Sequence, residues 1–243
     1  MDNFDKAKAL LENANYAICL TGAGISTESG IPDFRSDRGY YNTMIPEEAL
    51  SVGVLESDPE RFYSEGYRII QDLEGKKPNP AHIALAHLQK AGIIHEIVTQ
   101  NIDDLHQQAG AENVLQVHGD ASSARCTVCG REMDFAAFDE LVQQGDIPPK
   151  CPNCGHTMRT NVVLFGDAMP PAFDAAMQAA ERADVMIVVG SSLQVMPVAY
   201  LPRMAEHLIL VNKGTTPYDY QADVVFKGAA SDVLVELERR ILG

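Results

Sequence analysis

Two Cys-x-x-Cys pairs, Cys126/Cys129 and Cys151/Cys154, stand 21 residues apart in the middle of the chain. A Cys-x-x-Cys turn brings two sulfurs within reach of one tetrahedral ion, and a second such turn completes four-coordination. Two disulfides are the other arrangement open to four thiols. They need an oxidising compartment, and nothing in the residues points to export. The pattern therefore predicts a structural zinc ion on Cys126, Cys129, Cys151 and Cys154. Four thiolates leave no coordination position for water or substrate, so this metal would shape a module and take no part in chemistry. His156 lies close in sequence but is surplus to a four-sulfur site. Cys19 falls in an apolar run and reads as a small core residue.

The remaining composition narrows the setting. At 243 residues with 46% hydrophobic content, the chain suits one large domain carrying a smaller insert. The net charge of −15 argues against nucleic acid as the main partner. The first residues, from Met1 to Ala14, alternate charged and apolar groups in the manner of an amphipathic helix, unlike a secretory leader. No apolar run approaches the ~20 residues that span a bilayer. The expectation is a soluble, cytoplasmic protein with no membrane partner.

Short apolar runs predict buried parallel strands at Tyr16–Leu20, Glu96–Thr99, Val114–Val117, Val185–Val189, Leu208–Val211 and Val224–Phe226. Helical patterns fall between and around them, at Asp5–Asn13, Pro80–Ala91, Ile102–Ala109, Ala172–Ala183, Pro197–Ala205 and Asp232–Leu242. Alternation of this kind means an α/β fold with a doubly wound, Rossmann-like parallel sheet. Two stretches interrupt it. Residues 36–79 carry helical pieces without strong strands, and residues 120–160 hold the cysteines. The expected division is a Rossmann-like domain made of residues 1–35, 80–119 and 161–243. The helical insert and the zinc-ribbon module together would form the small domain.

The first strand runs directly into Thr21-Gly22-Ala23-Gly24-Ile25-Ser26-Thr27. A strand ending in Gly-x-Gly sets bare backbone amides beside a pyrophosphate. The dinucleotide fingerprint is incomplete, because Thr27 occupies the third glycine position and no acidic residue closes a second strand about 20 residues on. A turn-rich connection explains the segment equally well. Asn101 and Asp103 follow a strand at the edge where such sheets bind ligands, and both residue types also suit helix capping. His118 ends a strand beside Gly119, where a near-neutral imidazole suits a general base. Ser191 and Ser192 fit either a polar turn or a binding edge.

Further segments in order are Thr99-Gln100-Asn101-Ile102-Asp103, Val117-His118-Gly119, Val162-Val163-Leu164-Phe165-Gly166-Asp167 and Gly190-Ser191-Ser192-Leu193-Gln194-Val195. Together with Gly22–Ser26, Gly30–Ser36 and the paired Cys-x-x-Cys, they make the chain resemble the sirtuin family of NAD-dependent protein deacylases. The resemblance runs from about Leu10 to the C-terminus.

The resemblance implies a transferase that consumes NAD and acts on acetylated lysine in proteins or peptides. The acyl oxygen attacks the ribose carbon bearing nicotinamide, giving an alkylamidate. His118 then withdraws a proton through the ribose hydroxyls, and the products are nicotinamide, free lysine and 2′-O-acetyl-ADP-ribose. By the same resemblance Asn101 orients the ribose and its water, Ile102 and Asp103 form the nicotinamide pocket, and Phe34 shields the reacting carbon. Ala23, Thr27, Arg35 and Gln100 match contacts to phosphates and ribose. Gly190, Ser191, Ser192 and Asn212 match positions around the phosphates and adenosine ribose, and Asp232 a position near adenine. Val163, Phe165 and Gly166 would form one wall of the substrate channel and Val195 the other. Val162–Phe165 also fits a plain core strand.

One departure concerns acyl choice. Family members that prefer succinyl or malonyl groups carry Tyr-x-x-Arg in the helical insert. Here Tyr63 is followed three places on by Gly66, and Tyr67 by Ile70. Acetyl-lysine is therefore the expected substrate, with Glu65 placed to repel acidic acyl groups. A hydride-transferring oxidoreductase, an NAD-sensing module without turnover, and a zinc-ribbon nucleic-acid binder are the competing functions.

Overall fold

The computed structural model describes residues 2–243, and the apolar runs read above become its strands. In chain order the strands are β1 (Ala17–Thr21), β2 (Glu96–Thr99), β3 (Val114–Gln116), β4 (Ser123–Cys126), β5 (Glu132–Asp134), β6 (Met158–Thr160), β7 (Val185–Val189), β8 (His207–Val211) and β9 (Val224–Phe226). Six of them form one parallel sheet in the order β3-β2-β1-β7-β8-β9. The order turns back between β1 and β7, which opens a crevice at the carboxyl ends of those two strands.

Both central strands are buried along their whole length. Their alternate side chains feed two different cores, as the two-residue period of a strand requires. Ala17 and Cys19 with Val185, Ile187 and Val189 face helices Asn3–Asn13, Pro80–Lys90 and Ala230–Leu242. Ile18 and Leu20 with Met186 and Val188 face helix Pro171–Arg182 and the 3-10 turn Val198–Arg203. Each fully buried Ile, Leu or Val stabilises the fold by about 1.5–3 kcal/mol before chain entropy is counted. The helices start where local chemistry places them. Asp2 and Asp5 form a capping box on the first, and Asn79 caps the one opened by Pro80. No helix among the described residues is long and apolar enough to cross a membrane.

A second, three-stranded antiparallel sheet has the order β5-β4-β6. It shares a separate core with the short helices Val52–Ser57, Pro59–Ser64 and Arg68–Gln71. Tyr67 and Phe138 lie at its centre, their rings 6.1 Å apart. The Tyr67 hydroxyl donates to Asp139 Oδ1 at 2.8 Å, and the Gln71 amide donates to the same oxygen at 2.9 Å.

Two expected helices come out differently. Over Ile102–Ala109 only the single turn Leu105–Gln108 is helical. Asn101 and Asp103 are held instead by side-chain hydrogen bonds that compete with helix formation. Over Pro197–Ala205 the chain forms the 3-10 turn Val198–Arg203, and Pro202 inside it has no N–H to continue an α-helix. The first strand is shifted by one residue, to Ala17–Thr21, so Thr21 belongs to the sheet.

Candidate active site and metal centre

Because all six strands run the same way, the residues that follow each of them meet at one edge. Ala23 and Thr27 follow β1, Gln100 to Asp103 follow β2, and His118 follows β3. Gly190, Ser191, Ser192 and Val195 come after β7, Asn212 after β8. The loop after β1 packs directly on the end of β7. A Cβ on Gly24 would lie 2.7 Å from the Gly190 Cα, and one on Gly190 would lie 2.4 Å from the Ile25 nitrogen. Only glycine permits that approach, and it leaves backbone as the floor of the crevice.

His118 is held by one defined bond. Its Nδ1 lies 2.9 Å from the Gln100 carbonyl oxygen. A carbonyl only accepts, so Nδ1 carries the proton and Nε2 keeps its lone pair. Burial lowers the pKa of His118, and the bond to Gln100 raises it by less, so the ring is neutral near pH 7. The Gln100 side chain reaches across β1 and donates to Ser191 Oγ at 2.8 Å. One residue thus ties His118 to the end of β7.

Behind the crevice lies a polar network in which every member is buried. Asn101 donates from Nδ2 to Ser26 Oγ at 3.1 Å, and Ser26 donates to Asp103 Oδ2 at 2.9 Å. The Asn101 backbone N–H donates to Thr99 Oγ1, which also accepts from Thr21 Oγ1. His82 Nδ1 accepts from the Asn79 N–H, so its Nε2 proton points at Ser26 Oγ, 3.4 Å away. His106 Nε2 lies 3.0 Å from Thr21 Oγ1. Burial pushes His82 down to about 4 and His106 down to about 3, so both rings are neutral. Burial raises the Asp103 carboxyl, and bonds from Ser26 and the Leu105 N–H oppose the rise. With Nδ2 committed to Ser26, the Asn101 side-chain oxygen has no protein partner among the described residues.

Sequence reasoning missed Thr21, Ser26, His82, Thr99 and His106. The available signal was polar residues inside otherwise apolar strands and helices, which are paired when buried.

Other residues stand apart from this cluster. Phe34 packs on Tyr40 with ring centroids 5.5 Å apart. Arg35 stacks on the Tyr41 ring at 4.9 Å and points a guanidinium nitrogen at its hydroxyl, 3.4 Å away. Asp232 is exposed in the first turn of helix Ala230–Leu242, where a carboxylate also suits the helix dipole. Asn212 donates to the Gly214 carbonyl at 3.1 Å.

Val163 donates its N–H to the His118 carbonyl at 2.8 Å, which seats the Val162–Asp167 segment against the carboxyl edge of the sheet. Phe165 is bonded on both sides to the helical insert: its N–H to the Leu50 carbonyl at 2.9 Å, its carbonyl to the Val52 N–H at 3.0 Å. Among the described residues, the Val163 carbonyl and both backbone groups of Gly166 have no main-chain partner. Phe165, 37% exposed as a residue, therefore offers an incoming strand its side chain and no main-chain bond.

The four cysteines converge at the end of β4. Their sulfurs all lie within 4.8 Å of one another, and among the described residues no other residue type joins the cluster. The Cys126–Cys154 and Cys129–Cys151 sulfurs are 3.4 and 3.6 Å apart. A disulfide needs about 2.05 Å, whereas thiolates at about 2.3 Å from one zinc ion sit about 3.8 Å from each other. The donor set fits zinc, and the four thiols are free. His156 turns away, its Nδ1 on the Cys154 carbonyl at 3.1 Å.

This parallel sheet, with a Gly-x-Gly loop at its switch point and a four-cysteine module beside it, defines a class of nucleotide-binding enzyme. Comparison with known proteins agrees. The Sir2 family model matches residues 22–197, and the chain belongs to that family. It is 48% identical over 232 residues to NAD-dependent protein deacetylase 2 of Caldanaerobacter subterraneus subsp. tengcongensis, covering 95% of this chain and 93% of that protein. It is 41% identical over 255 residues to the NAD-dependent protein deacylase of Thermococcus kodakarensis, covering 97% and 94%. A Sir2 structure with p53 peptide and NAD+ superposes with a TM-score of 0.89 at 35% identity, covering 99% of this chain and 98% of that one.

Proposed function

We propose that this chain is an NAD-dependent protein lysine deacetylase. It transfers the acetyl group of acetyl-lysine to ADP-ribose, releasing nicotinamide and giving 2′-O-acetyl-ADP-ribose and free lysine. The observation that carries the reading is His118, a neutral imidazole with its proton fixed on Nδ1. Its free Nε2 belongs to the same sheet edge as the Gly22–Ser26 loop, and its own carbonyl holds the substrate segment.

NAD supplies the activated ribose carbon that accepts the acyl oxygen. The residues of this chain do the rest. His118 Nε2 takes the proton from the ribose hydroxyls, as a general base poised below neutrality. The Asn101 side-chain oxygen accepts from a ribose hydroxyl or its water, held there because Ser26 has claimed the amide nitrogen. Asp103, with Ile102, receives the nicotinamide carboxamide. Ala23, Thr27, Gln100, Gly190, Ser191 and Ser192 line the phosphates and near ribose, and Asn212 and Asp232 the adenosine end. Phe34 and Arg35 close over the cofactor from the loop. For Arg35 this means leaving Tyr41, on which it rests. Val163, Gly166 and Val195 bind the extended peptide by strand addition, with the Phe165 ring against the acyl-lysine stem. A bare ammonium in that apolar channel would be buried unpaired, which disfavours the product lysine.

The two-domain division is part of the same reading. The third core joins residues from 36–79 and 120–160, and zinc on the four cysteines sets the geometry of that unit. Acetyl is favoured over succinyl because the insert lacks the Tyr-x-x-Arg pair that would meet a distal carboxylate, Gly66 standing three places after Tyr63 and Ile70 three places after Tyr67. A Cβ on Gly66 would lie 2.1 Å from the Ala49 carbonyl oxygen, so no side chain fits there. Glu65 contributes less than its sequence position implies, since Arg61 Nε pairs with it at 3.2 Å. Free thiols throughout fit a cytoplasmic enzyme.

The test is incubation with NAD and an acetyl-lysine peptide, followed by mass spectrometry. Nicotinamide formed in step with deacetylated peptide supports the reading. Nicotinamide release without deacetylation, or the absorbance change of hydride transfer to NAD, rejects it.

A further inference from the structure

The segment Val162–Asp167 is tied to the catalytic edge by Val163 and to the helical insert by Phe165. Its third tie is ionic and comes from the cysteine module. Arg159, on β6, donates from Nη1 to Asp167 Oδ1 at 3.0 Å and from Nη2 to the Val162 carbonyl at 3.0 Å. Nη2 also meets Asp167 Oδ2, and that oxygen accepts the Leu164 N–H at 2.8 Å. The fork therefore grips both ends of the segment at once. The two side chains are 18% and 22% exposed, so removing either leaves a charge in a poorly solvated place. β6 pairs with β4 in a register that sets Met158 opposite Cys126. The tie thus starts one residue from the partner of a zinc ligand and ends on the substrate wall.

We infer that Arg159 and Asp167 are positioning residues for the acyl-peptide. They lock the Val163 carbonyl and the Gly166 backbone in the direction an added strand needs, and touch neither NAD nor the reacting atoms. The inference rests on the deacetylase reading. Asp167→Asn keeps an acceptor for Leu164 but loses the ionic fork. Arg159→Met keeps the stem and loses the charge.

For each variant, KM for an acetyl-lysine peptide, KM for NAD, kcat and zinc content are measured. Direct binding of the peptide is followed by fluorescence anisotropy, which needs no turnover. Peptide KM and dissociation constant are expected to rise roughly tenfold or more, with NAD KM within about twofold and zinc retained. Asp167→Glu, which restores the fork with a longer arm, is expected to recover most of the loss. Unchanged peptide binding in both Asp167→Asn and Arg159→Met overturns the inference. So does a parallel rise in both KM values with loss of zinc, since the pair would then only hold the module together. A wild-type protein that binds acetyl-peptide but turns nothing over would instead count against the deacetylase reading.

Discussion

The sheet edge and the cysteine module hold functional residues in place by opposite means. At the edge, six parallel strands in fixed register carry the crevice residues, and two apolar cores on either face keep the strands where they are. Position there follows from regular backbone and hydrophobic burial. The module has three-residue and four-residue strands, one nine-residue helix and a third core shared with the insert. Such a unit is too small to hold itself by burial alone. Beyond that shared core it is tied by the Tyr67–Asp139 bond and the Arg159–Asp167 fork, and its four cysteines are placed to hold one metal ion. The crevice residues are thus held by bulk packing, whereas the Val162–Asp167 segment is held by a few discrete ties.

The largest separation between the two regions is expected from metal loss. Cys126→Ala, or chelation, is expected to abolish deacetylation and expose the 120–160 region to protease, while the parallel sheet keeps its far-UV signal. A single transition that melts both together breaks the comparison, and a fully active zinc-free protein refutes the structural role of the metal.

Changing His118 attacks the edge without touching its packing. His118→Phe is expected to lower kcat/KM by roughly 10³ or more with zinc content and melting temperature nearly unchanged. In the parent enzyme the acid limb of kcat/KM should fall below the ordinary imidazole value of about 6.5, because burial lowers the His118 pKa. A limb above that value contradicts the assignment.

Gly24→Ala drives a methyl into the Gly190 backbone and is expected to weaken NAD binding by roughly tenfold or more, an overpacking cost of about 1–3 kcal/mol. Calorimetric titration with ADP-ribose reads this directly. An unaltered affinity would mean the two loops are free to part. A smaller discrimination concerns the insert. Matched peptides should be turned over about tenfold faster with acetyl than with succinyl, since an unpaired carboxylate must be desolvated. Equal rates would sink that reading.

The mildest effect is acid destabilisation of the edge. His82 and His106 have folded pKa values of about 4 and about 3, below the unfolded value of 6.5. The unfolded chain therefore binds the extra protons, and stability drops as pH falls from 6.5 towards 4. Urea midpoints measured at neutral and at mildly acidic pH read it, and His106→Asn should flatten the slope.

Much of this was legible in the residues. Apolar runs announced all six parallel strands because a doubly covered sheet needs continuous burial, and helical patterns announced most of the helices between and around them. Paired cysteines announced the metal site because sulfur spacing is set by the turn itself. The expected helix at Ile102–Ala109 failed because Thr99 and Ser26 recruit Asn101 and Asp103 away from helical bonding, and Ser26 is distant in sequence. His82 and His106 went unseen for a related reason. A histidine on a helix face looks like any other until its neighbours are known.

By itself the sequence determined the alternation of strands and helices, the glycine loop at the first strand end and the four-sulfur ligand set. These depend on local preference and short spacing. Only the tertiary structure decided which nitrogen of His118 is free, which way the Asn101 amide faces and that Phe165 has already spent its backbone bonds on the insert. It alone joined Arg159 to Asp167 across the Val162–Asp167 segment. Those facts are directional hydrogen bonds between groups that meet only after the chain has packed.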